Sequence, residues 1–367
     1  MNDKRKKSPR FFHCNFYQKN RRGLSTIIVT LILILLSLVA VGIVWVVVSN
    51  ILQSGAEQTF SGLGQLTLSL SLENVKVESN GDVSVTVKRN AGTGDLSGID
   101  FIVSDGENSQ VIKKSESLGE LATKTFTITS AELTDVAFVK EVSIAPISGT
   151  TGNEKVGSVV DKKEFTKKQV LQNFGAVSWW KLDGNAQDEI GGNSGTLQGD
   201  VNFVDGKYGK AGNFDENPDV MSITSIPLGS SYAIATWFQY PFPSTASWNT
   251  LTRGSAGDHQ VIVYTPTKEM GIYDNVGGTA FHGSGFITST LSNGWHHLAA
   301  VGSGTSTTFY IDGTLRGTSS FKSSSQISYV GNYQGGTQQF GQIDEVMIFN
   351  KALTDKQVKA LYEMDLS

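Results

Sequence analysis

The chain has 367 residues, a single cysteine at Cys14, and 30 Lys and Arg against 34 Asp and Glu, a net charge of −4. One thiol excludes any intramolecular disulfide, so the fold must be held by its apolar cores. The acidic balance argues against a surface built to bind nucleic-acid phosphates.

Residues 1–23 are the basic exception. They carry eight cations against Asp3 alone, and no ionisable side chain then appears until Glu57. Ile27 to Val48 is a continuous apolar run. A helix of that length spans roughly 33 Å, the thickness of a bilayer's hydrocarbon core, so residues 24–56 are predicted as a transmembrane helix. The flanking cations keep the N-terminus cytoplasmic and place the remainder outside the cell, as a single-pass membrane protein. Arg21-Arg22-Gly23-Leu24-Ser25-Thr26, followed by the apolar run, resembles the class III signal peptide of archaeal type IV pilin and archaellin precursors. The resemblance implies a prepilin peptidase that cuts between Gly23 and Leu24 and leaves the helix to pack with sister pilin subunits. Ile28 stands where bacterial type IV pilins carry a glutamate, which points to the archaeal branch. An uncleaved signal anchor would show the same basic flank. Cleavage would remove Cys14 and leave 22 basic against 33 acidic residues, a net charge of −11.

From residue 60 to 165 the pattern is of strands. Leu66, Leu68, Leu70 and Leu72 alternate with polar residues, as do Val83, Val85 and Val87, then Ile99, Phe101 and Val103, Phe126 and Ile128, and Val142 and Ile144. Period-two alternation broken by Gly, Asn and Asp clusters marks half-buried antiparallel strands, and several within about 100 residues predict a small β-sandwich. It is similar to the head domain of archaeal pilins and archaellins. The lysine-rich stretch 166–175 reads as a linker.

Residues 176–367 are rich in Gly, Ser and Thr with alternating aromatics and aliphatics. In YAIATWFQ, Ala233 and Ala235 share a strand face with Trp237, and Tyr232, Ile234 and Phe238 take the other. Asp312-Gly313 between two β-prone runs predicts a two-residue hairpin turn. Thr354 with Gln357 makes a capping box, and Val358, Leu361 and Tyr362 form the apolar stripe of a short closing helix. VSWWKLDGNAQDEIGGNSGTLQG, GKYGKAGNFDE, YAIATWFQ, GWHHLAAVGSGTSTTFYIDGTLRG and IDEVMIFNKALTDKQVKALYE resemble, in order and spacing, the laminin-G-like branch of the concanavalin A-like lectins and glucanases. The whole chain is thus expected to be mostly β: a transmembrane helix, a small sandwich and a C-terminal jelly roll.

That resemblance implies binding of an extracellular glycan or protein, and a possible calcium ion. Calcium demands converging hard oxygen ligands, and the motif positions nominate Asp183 and Asp344. An ordinary turn or strand-end carboxylate hydrogen-bonded to backbone is the other reading of each. For sugars, Trp248, Tyr264, Tyr273 and Tyr333 are candidate stacking rings, or else core and loop-packing residues. An enzyme is not expected. Glucanase chemistry needs two carboxylates on one strand face, and no Glu-x-Asp-x-Glu run occurs. Asp344 and Glu345, like Asp215 and Glu216, are neighbours and should point to opposite faces of a strand, as should His296 and His297. The expected function is a pilin-like surface protein that displays a lectin-like adhesive unit. The alternatives are an uncleaved, membrane-anchored monomeric binding protein or a glycan-active enzyme.

Overall fold

The structure, a computed structural model, describes residues 68–245, 247–332 and 336–367. The basic leader, the Gly23–Leu24 junction and the 24–56 apolar helix lie outside the described residues. Among those described, no helix is long and apolar enough to cross a membrane.

The alternating segments of the first module pair as expected. Leu70–Val77, Val83–Arg89 and Thr123–Ile128 form a three-stranded antiparallel sheet. Leu96–Ser104 lies between Ser109–Lys114 and Glu141–Ser148, and Lys155–Val156 and Asp161–Glu164 both pair with Glu141–Ser148. Val83, Val85, Val87, Ile99, Phe101, Val103, Ile128, Val142 and Ile144 are completely buried between the two sheets, so each alternating run sends one side inward.

The second module is a larger sandwich. Its seven-stranded sheet runs in the order Thr196–Gln198, Val220–Ile226, Ile327–Val330, Trp248–Arg253, His259–Tyr264, Glu269–Asp274, Ala280–Ile287. Facing it is an eight-stranded sheet whose centre is Gly341–Phe349 beside Tyr232–Tyr240 beside Gly294–Ser303. Tyr232, Ile234, Phe238, Val261, Val263, Met270, Ile272, Phe309, Ile343 and Val346 fill the space between the sheets. Asp312 adopts φ 51° at the expected hairpin, a left-handed conformation suited to a two-residue turn.

The opposite face of the eight-stranded sheet is not solvated. Ala233, Ala235, Ala299, Val301, Met347 and Phe349 join Val358, Leu361 and Leu366 in one apolar cluster that continues into the first sandwich. Helix α1, Lys167–Asn173, and helix α2, Asp355–Glu363, bridge the two. Both helices start with the same capping box. Thr166 accepts from the Gln169 amide and Thr354 from the Gln357 amide, while each glutamine side chain returns to the cap residue's own amide. Residues 166–175, read as linker, therefore form a capped helix that buries Val170, Leu171 and Phe174. Phe174 meets Phe138 of the first sandwich edge to face, with centroids 5.5 Å apart.

Removing that ring opens a cavity at the join. Phe174→Ala is expected to cost about 3–5 kcal/mol. Because one apolar cluster spans both modules, tryptophan fluorescence of the second and hydrogen exchange of the first should lose stability together in a denaturant titration.

Candidate functional site

Two places in the second sandwich gather the sequence-nominated residues, one on each sheet. On the seven-stranded sheet, Val261, Val263, Met270 and Ile272 point into the core, so the alternate residues Tyr264 and Tyr273 take the opposite face. Trp248 joins them from the neighbouring strand. Its ring lies 4.6 Å from Tyr264, 5.2 Å from Tyr273 and 5.4 Å from Phe281, centroid to centroid. All four rings are half-buried and together make one aromatic surface. A side chain at position 271 would forbid it: a Cβ on Gly271 would fall 2.9 Å from Phe281 Cε2 and 2.3 Å from the His282 carbonyl oxygen. Glycine thus lets the Phe281 ring lie down against the sheet.

Polar groups border these rings. The Thr250 hydroxyl lies 2.9 Å from His259 Nδ1 and donates to Gln338 Oε1 at 2.8 Å. The His259 ring is 6.0 Å from Tyr273. Burial, and secondarily the Arg253 charge, push His259 down to about 3, so it is neutral at ordinary pH. The aromatic proposal from sequence thus converges for Trp248, Tyr264 and Tyr273. Tyr333 lies outside the described residues, and Phe281 was missed. Nothing local marked it, since Gly283 and Gly285 occupy the alternate positions on its strand, and sequence does not say which rings meet.

The second place is the helix-covered face of the eight-stranded sheet. Ile343 and Val346 both face the core, although three positions apart, so Asp344 and Glu345 between them share the other face. The cause is a β-bulge. Register between this strand and Tyr232–Tyr240 slips between Ala235 and Trp237, and Glu345 takes φ 54°. The expectation that these two carboxylates diverge is corrected: alternation fails where an extra residue enters the strand.

Both carboxylates are buried, at 0% and 1% exposure. Asp344 Oδ2 accepts from the Tyr208 amide at 2.9 Å, and Glu345 Oε2 accepts from the Trp179 indole N–H. Their other oxygens, Asp344 Oδ1 and Glu345 Oε1, are buried without a hydrogen-bond partner. Burial pushes Asp344 up to about 7, the Asp183 charge adding to it against the pull of the Tyr208 amide. Burial likewise pushes Glu345 up to about 8, opposed by the Trp179 indole and aided by the Asp344 charge. Asp183 caps the same loop from the other side, accepting the Lys210 amide at 2.6 Å. Gly209, at φ 52°, makes room: a Cβ there would fall 2.2 Å from Asp183 Oδ1.

The structure therefore places Asp183 and Asp344 around one loop, residues 206–210. Each holds a backbone amide, as the bland reading supposes, and Glu345 joins them unanticipated. The donors are all oxygen, and two are buried and unmatched, which suits a hard cation. Side chains alone do not complete a cage: among the described residues, no group of three or more His, Cys, Asp and Glu could hold a metal ion.

Tyr208, Trp237, His297 and Tyr362 roof this face, with Trp237 lying 5.3 Å from His297 and 5.6 Å from Tyr362. A polysaccharide cannot touch either carboxylate through that cover. His296 and His297 do part: His296 Nδ1 lies 2.8 Å from Asp312 Oδ2, on the hairpin turn, and its ring lies against Phe238. Asp215 and Glu216 stand exposed in a loop, where the Glu216 amide donates to Asp219.

A family model described as the concanavalin A-like lectin/glucanases superfamily, of the laminin-G type, matches residues 215–359. The C-terminal sandwich is thus a laminin-G-like jelly roll. Similar solved structures include domain 4 of an extracellular GH43 arabinanase from Geobacillus stearothermophilus in complex with arabinotriose. It has 17% identity and a TM-score of 0.42, with 51% of this chain and 98% of that chain covered. The binding domain of Paraclostridial mosquitocidal protein 1 has 16% identity and a TM-score of 0.40, covering 51% and 52% of the two chains. The botulinum neurotoxin type G receptor binding domain has 16% identity and a TM-score of 0.38, covering 52% and 51%. This chain spans about half the length of those two toxin chains. No curated protein matches it in sequence.

The buried His259 makes the aromatic face acid-sensitive. Its folded pKa lies below the ordinary 6.5, so the unfolded chain takes up the proton first as pH falls. The stability that neutral His259 contributes is complete above about pH 6.5 and is lost as pH falls toward 3. His259→Gln should flatten that part of the stability–pH curve relative to the parent chain, as read by thermal melts from pH 7 to pH 4.

Proposed function

We propose that this chain is a pilin-like protein of the cell surface whose jelly roll binds an extracellular glycan through the aromatic face of its seven-stranded sheet. One observation carries the binding reading: Trp248, Tyr264, Tyr273 and Phe281 form one half-buried aromatic surface. Pyranose rings present apolar C–H faces that pack on aromatic rings and hydroxyls that need a polar rim. Binding without hydrolysis is favoured, because the two adjacent carboxylates are enclosed behind the other sheet.

Calcium is proposed at the 206–210 loop, with Asp344 and Glu345 supplying the unmatched oxygens and Asp183 beside them. When bound there it would neutralise the crowded carboxylates and stiffen the loop. The chain's own residues hold that loop through the Tyr208 and Lys210 amides.

The surface location and membrane anchorage rest on the apolar run after Gly23 and the cations before it. In this reading prepilin peptidase frees Leu24, the helix packs with those of sister subunits, and the jelly roll projects as the adhesive unit. A monomer left uncleaved in the membrane would display the same module.

On a glycan array, Trp248→Ala or Tyr273→Ala should weaken the best-bound glycan by about 1–2 kcal/mol, roughly five- to thirtyfold. Chelation with EGTA should lower the melting temperature of the parent chain but not of Asp344→Asn. Undiminished glycan binding by both aromatic variants would defeat the lectin reading, and indifference to EGTA the calcium one.

Mass spectrometry of the protein from native membranes should find Leu24 as its first residue. A retained leader would replace the pilin reading with the uncleaved anchor.

A further inference from the structure

The two modules enclose a groove of about 620 Å³ along their join. Val77, Leu133, Val136, Phe138 and Phe174 give it apolar walls, Lys351 comes from the chain before α2 and Lys356 from its first turn. Lys351 Nζ donates to the Asn173 carbonyl at 3.0 Å and the Ser79 carbonyl at 3.4 Å, which leaves one of its three N–H groups uncommitted. Lys356 Nζ donates to the Thr134 carbonyl. Neither ammonium has a carboxylate at ion-pair distance among the described residues. Asp355, which also lines the groove, accepts the Tyr310 hydroxyl at 2.6 Å. The Asn173 side-chain amide Nδ2 is buried without a partner at the same place.

Apolar walls with a few convergent donors and a volume of several hundred Å³ are the features of a small-molecule site. Here the donors are two ammonium groups and an amide N–H, and among the described residues neither ammonium is in an ion pair, the Asp355 carboxylate of the same groove being engaged by the Tyr310 hydroxyl. We infer that this groove binds a small monocarboxylate with an apolar body, its carboxylate on Lys351 and Lys356 and its body against Phe138 and Phe174. Such a ligand touches both modules at once and therefore tightens the join. Burial holds the Lys351 ammonium below its usual pKa, and a carboxylate beside it would shift that pKa back up. The site is separate from the aromatic face and stands whether or not that face binds glycans.

The probes are octanoate, phenylbutyrate and the uncharged phenylbutyramide, titrated by calorimetry into the purified full-length protein. The carboxylates should bind at least about tenfold more tightly than the amide. Preference for octanoate or for phenylbutyrate supports the inference either way and identifies the apolar body as alkyl or aryl. Ala137→Trp, which fills the groove, should abolish binding, and Lys351→Met should weaken it at least about tenfold. Since Lys351 also ties Ser79 to Asn173, Lys356→Met is the second charge variant, with a thermal melt of each to confirm folding. Equal binding of acid and amide, or binding unchanged by Ala137→Trp, would overturn the site and leave only nonspecific partition.

Discussion

A sheet face lined with Ala233, Ala235 and Ala299 is too flat and apolar to remain in water, and its burial organises the rest of the chain. These alanines share one buried apolar cluster with Phe174, Val358 and Leu361, which supply its bulk. Each large side chain so buried contributes roughly 1.5–3 kcal/mol relative to exposure. The face that is covered becomes the join between the modules. The opposite sheet is left to carry the aromatic surface, so the two sheets of one sandwich have separate duties.

The same covered face explains the unusual carboxylates. A single extra residue at Glu345 turns two adjacent acids to one side of the strand, and the roof of Tyr208, Trp237 and Tyr362 then keeps water away from them. Proximity and desolvation act in the same direction, each opposing a second negative charge. A bulged strand under a helix thus creates a polar centre that a regular strand would have divided between the core and the outer face.

The two capping boxes show how far local pattern reaches. Thr354-x-x-Gln357 precedes a clear apolar stripe and is legible as a helix. Thr166-x-x-Gln169 has the same spacing, but Lys167 and Lys168 follow it and only seven residues are available, too few for a helix to hold by propensity alone. What stabilises α1 is the burial of Val170, Leu171 and Phe174 against partners far away in the chain. The aromatic face follows the same logic. Trp248, Tyr264 and Tyr273 are visible as residues, yet their meeting depends on strand order and on the space that Gly271 leaves open.

The amino-acid order alone determined the β character of both modules, the inward side of each alternating strand, the Asp312 hairpin and the closing helix. These rest on contacts between near neighbours and on a fixed two-residue or 3.6-residue period. Only the tertiary structure decided which rings form one surface, that Asp344 and Glu345 stand together, and that two sandwiches share a core. Those outcomes depend on register, bulges and the packing of segments distant in the chain, to which no local period is sensitive.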